Sequence, residues 1–193
     1  MNSATQAFEF LINAVFEAAI LLFLFRFLIQ LVEVDFYNPL TQFVVKYTRP
    51  ILKPLSFIPT VNRWNFAALV VMLILESINI IINVEVERGF MPFIPGILLW
   101  AVGDLVYYFI HLYIYAILGL VILSWVKPAG GNAIMEILYK ITMPLMRPVR
   151  RVIPPIGGMD ITPIPVLIGL KFLSILLIEP LVVTGMQLAA AGS

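Results

Sequence analysis

The stretch from Ile97 to Val126 reads I-L-L-W-A-V-G-D-L-V-Y-Y-F-I-H-L-Y-I-Y-A-I-L-G-L-V-I-L-S-W-V, thirty residues in which Asp104 is the sole carboxylate and His111 the sole basic side chain. As a helix rising 1.5 Å per residue it would measure about 45 Å, more than the roughly 30 Å of hydrocarbon in a bilayer, which leaves length for tilt. Lipid offers no partner to a backbone N–H or C=O, and a helix satisfies these groups within itself. A membrane β-strand would instead be an alternating segment of about ten residues, and this run does not alternate. Three more runs of the same character lie at Phe8–Val32, Asn65–Val84 and Pro163–Met186. The prediction is an all-α polytopic membrane protein with four transmembrane helices, at about 8–32, 65–84, 97–126 and 163–186.

Composition agrees. Of 193 residues 62% are hydrophobic and 12% charged, with mean hydropathy +1.04, whereas soluble domains carry about 25% charged residues. The absence of cysteine removes disulfides, thiolate metal sites, thioether-linked haem and cysteine nucleophiles. One histidine, His111, cannot build a histidine metal site by itself. No Lys or Arg precedes Arg26, and the apolar run from Phe8 exceeds a signal-peptide core, so a permanent first span is expected. No phosphate loop, nucleophile elbow or HExxH occurs, and no catalytic residue, cofactor, metal or nucleic-acid partner is expected.

The net charge of +1 hides an asymmetry. Lys46, Arg49, Lys53 and Arg63 lie between spans one and two; Lys127, Lys140, Arg147, Arg150 and Arg151 lie between spans three and four. These are nine of the twelve basic residues, and neither tail has any. The positive-inside rule places both connections in the cytoplasm and both termini in the periplasm of a bacterial inner membrane. The connections are amphipathic. Phe36, Leu40, Phe43, Val44, Tyr47, Ile51 and Leu55 recur at helical spacing in the first, and Ile134, Ile137, Leu138, Ile141, Leu145, Met146 and Val149 in the second. Each reads as an interfacial helix, at about 36–56 and 132–152, with bases toward anionic headgroups. Pro50, Pro54, Pro144 and Pro148 should break or kink these helices.

The chain also repeats itself at an offset of 94. Asn38 falls on Asn132, Thr48 on Thr142, Pro50 on Pro144, Lys53 on Arg147 and Pro54 on Pro148, so that T-R-P-I-L-K-P answers T-M-P-L-M-R-P. Two parallel repeats follow, 1–90 and 91–193, each a span, an interfacial helix and a span. An even number of crossings per copy gives both the same orientation.

With S-W at Ser124–Trp125, the run M-P-L-M-R-P-V-R-R-V-I-P-P-I-G-G-M-D-I-T-P from Met143 to Pro163, and its weaker copy R-P-I-L-K-P-L-S-F-I-P from Arg49 to Pro59, the chain resembles the YggT (YlmG-like) family in its doubled form. Thr162 departs from the family's usual Ser, and the first copy has Asn65-Phe66-Ala67-Ala68 at the corresponding turn. The resemblance implies a bacterial inner-membrane or plastid-membrane protein without known catalysis. Members have been linked to osmotic-shock tolerance and potassium uptake, to division and nucleoid organisation, and to haem attachment in cytochrome assembly.

Polar residues inside the spans are costly and become functional candidates. Gln6, Glu9, Asn13 and Glu17 form one stripe; Glu76, Asn79, Asn83 and Glu87 a second; Asp104, Tyr108, His111 and Tyr115 a third; span four has Lys171, Ser174 and Glu179. The offset pairs Glu17 with His111, and after a one-residue gap Glu76 with Lys171. Glu17, Glu76, His111 and Lys171 are therefore expected to meet around the pseudo-twofold axis as a neutralising network, against the plainer reading that such groups only specify helix pairing. Arg26 is expected to snorkel to the headgroups. Pro50, Lys53, Pro54, Pro144, Arg147, Pro148, Arg150, Arg151, Asp160 and Pro163 form a candidate cytoplasmic motif for anionic lipid or a membrane protein partner, with Asp160 capping span four. The leading expectation is a scaffold or assembly factor; the rival is a small channel or transporter for a monovalent cation, and a cytochrome-assembly helper comes third. A homo-oligomer is left open.

Overall fold

The computed structural model describes residues 3–88, 91–126, 133–153 and 160–191. Lys127, Asn132 and the P-P-I-G-G-M stretch at 154–159 lie outside the described residues, as do the side chains of Glu87, Arg88 and Trp125. Six helices and one small hairpin follow in order: α1 (Ser3–Leu31), α2 (Pro39–Leu52), β1 (Thr60–Val61), β2 (Trp64–Asn65), α3 (Phe66–Arg88), α4 (Ile94–Val126), α5 (Ala133–Val152) and α6 (Pro163–Ala191). Within these, Gln6–Leu31, Phe66–Val86, Ile94–Ser124 and Pro163–Ala191 are long and apolar enough to cross a membrane. The all-α architecture with four membrane-length helices is as the sequence predicts.

α1 packs on α3, and α4 on α6. Phe23, Phe27 and Leu28 of α1 and Ala68, Val71 and Met72 of α3 form the largest buried cluster, which Leu112 of α4 and Ile137 and Ile141 of α5 complete. Ile110 and Ile117 of α4 close on Val166 and Leu170 of α6, with Met146 of α5 beneath. Ile80 and Val84 of α3 meet Ile97 and Ala101 of α4 and join the two pairs.

The ends of the elements follow from local chemistry. α1 stops in a Schellman turn: the Val34 amide donates to the Ile29 carbonyl at 3.0 Å and that of Glu33 to Gln30 at 3.4 Å, with Glu33 at φ 52°. Asn38 caps α2, accepting from the Leu40 amide at 3.0 Å, and Pro39 fills the first helical position. Asn62 (φ 48°) and Arg63 (φ 76°) make the two-residue turn that joins antiparallel β1 and β2, the backbone a tight hairpin requires. Asn65 then caps α3 by accepting from the Ala68 amide at 3.0 Å.

α2 and α5 lie at the same end of the bundle and are tied together. The Asn38 amide donates to the Ala133 carbonyl at 2.9 Å and to Glu136 at 3.2 Å, and Lys140 reaches the Glu33 carbonyl at 3.3 Å. Their faces differ. In α2 the buried line is Thr41, Val44 and Thr48, while Leu40, Phe43, Tyr47 and Ile51 are exposed. In α5 the apolar line itself, Ile137, Ile141 and Met146, turns into the bundle.

Of the break or kink expected at the prolines, the break is corrected. Pro50, Pro144 and Pro148 do not break their helices: α2 runs through Pro50, and α5 through Pro144 and Pro148. Two residues before Pro50 and Pro144, a fully buried threonine anchors the turn, Thr48 donating to the Val44 carbonyl at 2.7 Å and Thr142 to that of Leu138 at 2.8 Å. A proline deletes one hydrogen bond, and packing of the buried face holds the rest. Only Pro54 acts as a stop, two residues past the end of α2.

Candidate functional site

The half of the bundle away from α2 and α5 holds a polar chamber of about 300 Å³. α1 supplies Asn13 and Glu17, α3 supplies Glu76, Asn79 and Asn83, and α4 supplies Trp100, Asp104, Tyr107 and Tyr108. Steps of three and four bring each set to one face of its helix. Asn83 spans the gap between α1 and α3. Its amide donates to Asn13 Oδ1 at 2.7 Å and to the Asn79 carbonyl at 2.9 Å.

Glu76 is the deepest of these groups. It is 3% exposed, and its Oε2 is buried with no donor to satisfy it. The carboxyl of Asp104 lines the same chamber from α4, with Trp100 one helical turn before it. Glu17 faces the pair from α1. Burying an unpaired carboxylate costs several kcal/mol even after relaxation. An acidic group kept there beside open volume is therefore expensive as packing and useful as a binding group.

Of the four residues expected to meet, the structure brings Glu17 and Glu76 to one chamber and places the other two elsewhere. His111 lines a second cavity of about 360 Å³ with Leu21, Phe25, Leu112, Tyr115, Ala116 and Leu138. Its ring stacks on Tyr107 at 3.8 Å, and its Nδ1 lies 3.0 Å from the Tyr107 carbonyl. A carbonyl only accepts, so the proton sits on Nδ1. Tyr107 and Tyr108 line both cavities and form the wall between them. Lys171 lies on an exposed face of α6 and lines neither cavity. The neutralising quartet is thus replaced by an acidic trio in which Asp104 completes the set. The residue offset equates depth along the helices but not rotation about them, which is why it selected Lys171. The signal for Asp104 was present in its place on the same stripe as Tyr108 and His111. Arg26 is half-buried, with its Nε enclosed and without an acceptor.

At the opposite end, the Pro-x-x-basic-Pro motif divides in two. Lys53, Arg147 and Arg151 are exposed, as are Pro50, Pro54, Pro144 and Pro148. Arg150 is committed instead to Asp160, through Nη2 at 2.6 Å and Nε at 3.1 Å. Asp160 also accepts from the Thr162 amide at 2.9 Å, while buried Pro163 opens α6. Asp160 thus braces the turn that leads into α6. Burial pushes the Asp160 carboxyl up, but the hydrogen bonds from Thr162 and Arg150 and the charge of that guanidinium outweigh it and hold the group below its ordinary value.

Comparison with known proteins fits this arrangement. The CCB3/YggT family model matches residues 5–85 and again 99–181. YggT of Escherichia coli strain K12 is 36% identical over 193 residues, covering 97% of this chain and 96% of its own length. A protein of Pseudomonas aeruginosa is 35% identical over 170 residues, 86% of each chain, and one of Haemophilus influenzae 33% identical over 166 residues, covering 84% of this chain and 87% of its own. No solved structure matches. Two family matches that together cover most of the chain, and relatives aligned over nearly their whole length, make this protein a member of the CCB3/YggT family.

Proposed function

We propose that this chain is a non-enzymatic inner-membrane protein that admits a monovalent cation to the chamber between α1, α3 and α4. Both termini and the chamber face the periplasm, and the basic ends of α2 and α5 face the cytoplasm. The observation that carries the reading is Glu76, buried in an apolar bundle with an unsatisfied oxygen beside open volume. A bundle whose polar groups served only helix pairing would satisfy that oxygen internally. The carboxylates and amides around it offer oxygen ligands, which suit a hard cation.

The chain is built of two copies, 1–90 and 91–193. Supporting this are the two family matches, the pairing of α1 with α3 and α4 with α6, and the Thr48 and Thr142 bonds, which recur 94 residues apart.

The test is cation flux through the full chain in liposomes. Removing the Glu76 charge as Glu76→Gln should lower Na⁺ or K⁺ flux about tenfold or more, since about 1.4 kcal/mol of lost charge-assisted contact has that effect. Undiminished flux in a variant that elutes and melts like the parent would overturn the proposal.

A second reading, a scaffold or assembly factor, draws on a different feature. Exposed Leu40, Phe43, Tyr47 and Ile51 of α2 lie at the same end as exposed Lys53, Arg147 and Arg151, a surface suited to anionic headgroups or a membrane protein partner.

A further inference from the structure

We infer that the second cavity, between α1, α4 and α5, is a binding site for a bilayer-soluble phenol or quinol, a flat ring with a hydroxyl and an apolar tail. The cavity holds about 360 Å³, a volume typical of small-molecule sites. The tyrosine wall divides it from the polar chamber, and the inference does not depend on what that chamber admits.

Depth sets the solubility of the occupant. α4 has 33 residues, and His111 stands near its middle. A cavity at that height in a membrane-spanning helix is bordered by hydrocarbon. Its lining residues Leu21, Tyr107 and Tyr115 are exposed on the outside of the bundle. An occupant therefore enters sideways from the lipid and must itself be largely apolar.

The walls set its shape. Phe25 of α1 and Tyr107, Tyr108 and Tyr115 of α4 line the space. Aromatic rings gain from stacked or edge-on contact with other rings beyond what burial alone returns. The His111 ring stacks on Tyr107 at 3.8 Å and lies 6.3 Å from that of Tyr115. A flat ring finds partners here that a flexible chain does not.

One hydrogen-bond position sets its chemistry. Nδ1 of His111 donates to the Tyr107 carbonyl at 3.0 Å, so in the neutral ring Nε2 carries a lone pair and accepts. The Nδ1 bond runs back to a carbonyl of the same helix, which leaves the opposite Nε2 edge directed away from the backbone. Among the described residues no hydrogen bond reaches Nε2. An unmet acceptor at bilayer depth is costly because lipid supplies no donor. A hydroxyl on the occupant meets it, whereas an acyl chain leaves it unmet. That difference selects a phenol or quinol over the tails of the surrounding lipid.

The experiment uses the full chain in phosphatidylcholine liposomes at about pH 8, where free imidazole is neutral. Binding of radiolabelled para-octylphenol is read by sedimentation, in excess of its partition into protein-free liposomes. Para-octylanisole, the methyl ether, has the same ring and tail and no donor. The phenol should bind saturably, and the ether about five- to tenfold more weakly, the worth of one net hydrogen bond. Octane, which offers the tail alone, should not displace the phenol at equal concentration. His111→Phe keeps a ring in place and removes the acceptor, so it should bind phenol and ether alike. Leu21→Trp fills the mouth of the cavity and should abolish binding of both. Equal affinity of phenol and ether in the unmodified protein, displacement by octane, or no saturable binding overturns the proposal, as does undiminished binding by Leu21→Trp. The comparison of phenol with ether on the unmodified protein decides even where a variant fails to fold.

Discussion

At Gly185 of α6 an added Cβ would stand 2.5 Å from the Trp100 amide nitrogen and 2.7 Å from its Cα. Those atoms are backbone and cannot turn aside, so α4 and α6 approach as closely as they do because a methyl is missing. Gly169, about four turns away on the same helix, has nothing within 4 Å. Gly185→Ala should therefore destabilise the protein by about 1–3 kcal/mol, the range for overpacking, while Gly169→Ala should shift stability by no more than about 1 kcal/mol. Melting temperatures in one detergent check both; equal shifts would mean the seam is loose. This contact was not legible in the sequence. Ala14 and Ala18 of α1 are also small residues four apart, yet both are exposed. In lipid the packed and the outward sides of a span are equally apolar, so small residues four apart carry no direction. Asp104 was half legible for the same reason: its stripe could be read from spacing, but the helix it faces could not.

The turn into α6 is an element held by one ion pair. Asp160 joins Arg150 of α5 to the Thr162 amide at the start of α6. Because this carboxyl titrates below its ordinary value, its contribution is present in full above the unfolded value of about 3.9 and is lost as pH falls through the folded one. Asp160→Asn should thus lower the melting temperature near neutrality, and the two proteins should converge in acid, below the carboxyl's folded-state value. A variant equally destabilised at both pH values would show that the shape of the turn matters and the charge does not. The pair is partly exposed, so the effect is modest. Element by element, the long runs were legible because a membrane-length apolar stretch has few alternatives to a helix. The prolines misled because local propensity counts a lost hydrogen bond and cannot see the buried threonines and packed faces that carry α2 and α5 through it. The hairpin escaped notice because Asn62-Arg63 lacks the glycine that usually marks such a turn.

For the whole molecule, the remaining question is which end of the bundle faces which compartment. α2 and α5 are linked through Asn38, Glu33, Ala133, Glu136 and Lys140, so one assignment fixes both connections. The bases near them, Lys46, Arg49, Lys53, Arg147 and Arg151, argue for the cytoplasm, and the chamber, built from the other half of α1, α3 and α4, must then face outward. The absence of native cysteine makes the assignment directly measurable. Phe57, Val152 and Met91 are 77%, 80% and 70% exposed, and each can carry a single introduced thiol. In intact cells whose outer membrane has been permeabilised, an impermeant maleimide should label Met91→Cys and spare Phe57→Cys and Val152→Cys until the inner membrane is opened. Reversed labelling would turn the chamber to the cytoplasm and make its cation a cytoplasmic one. Labelling of Phe57→Cys and Val152→Cys from opposite sides is incompatible with hydrogen bonds that hold α2 and α5 at one end, and would dismantle the chamber along with the two-copy reading.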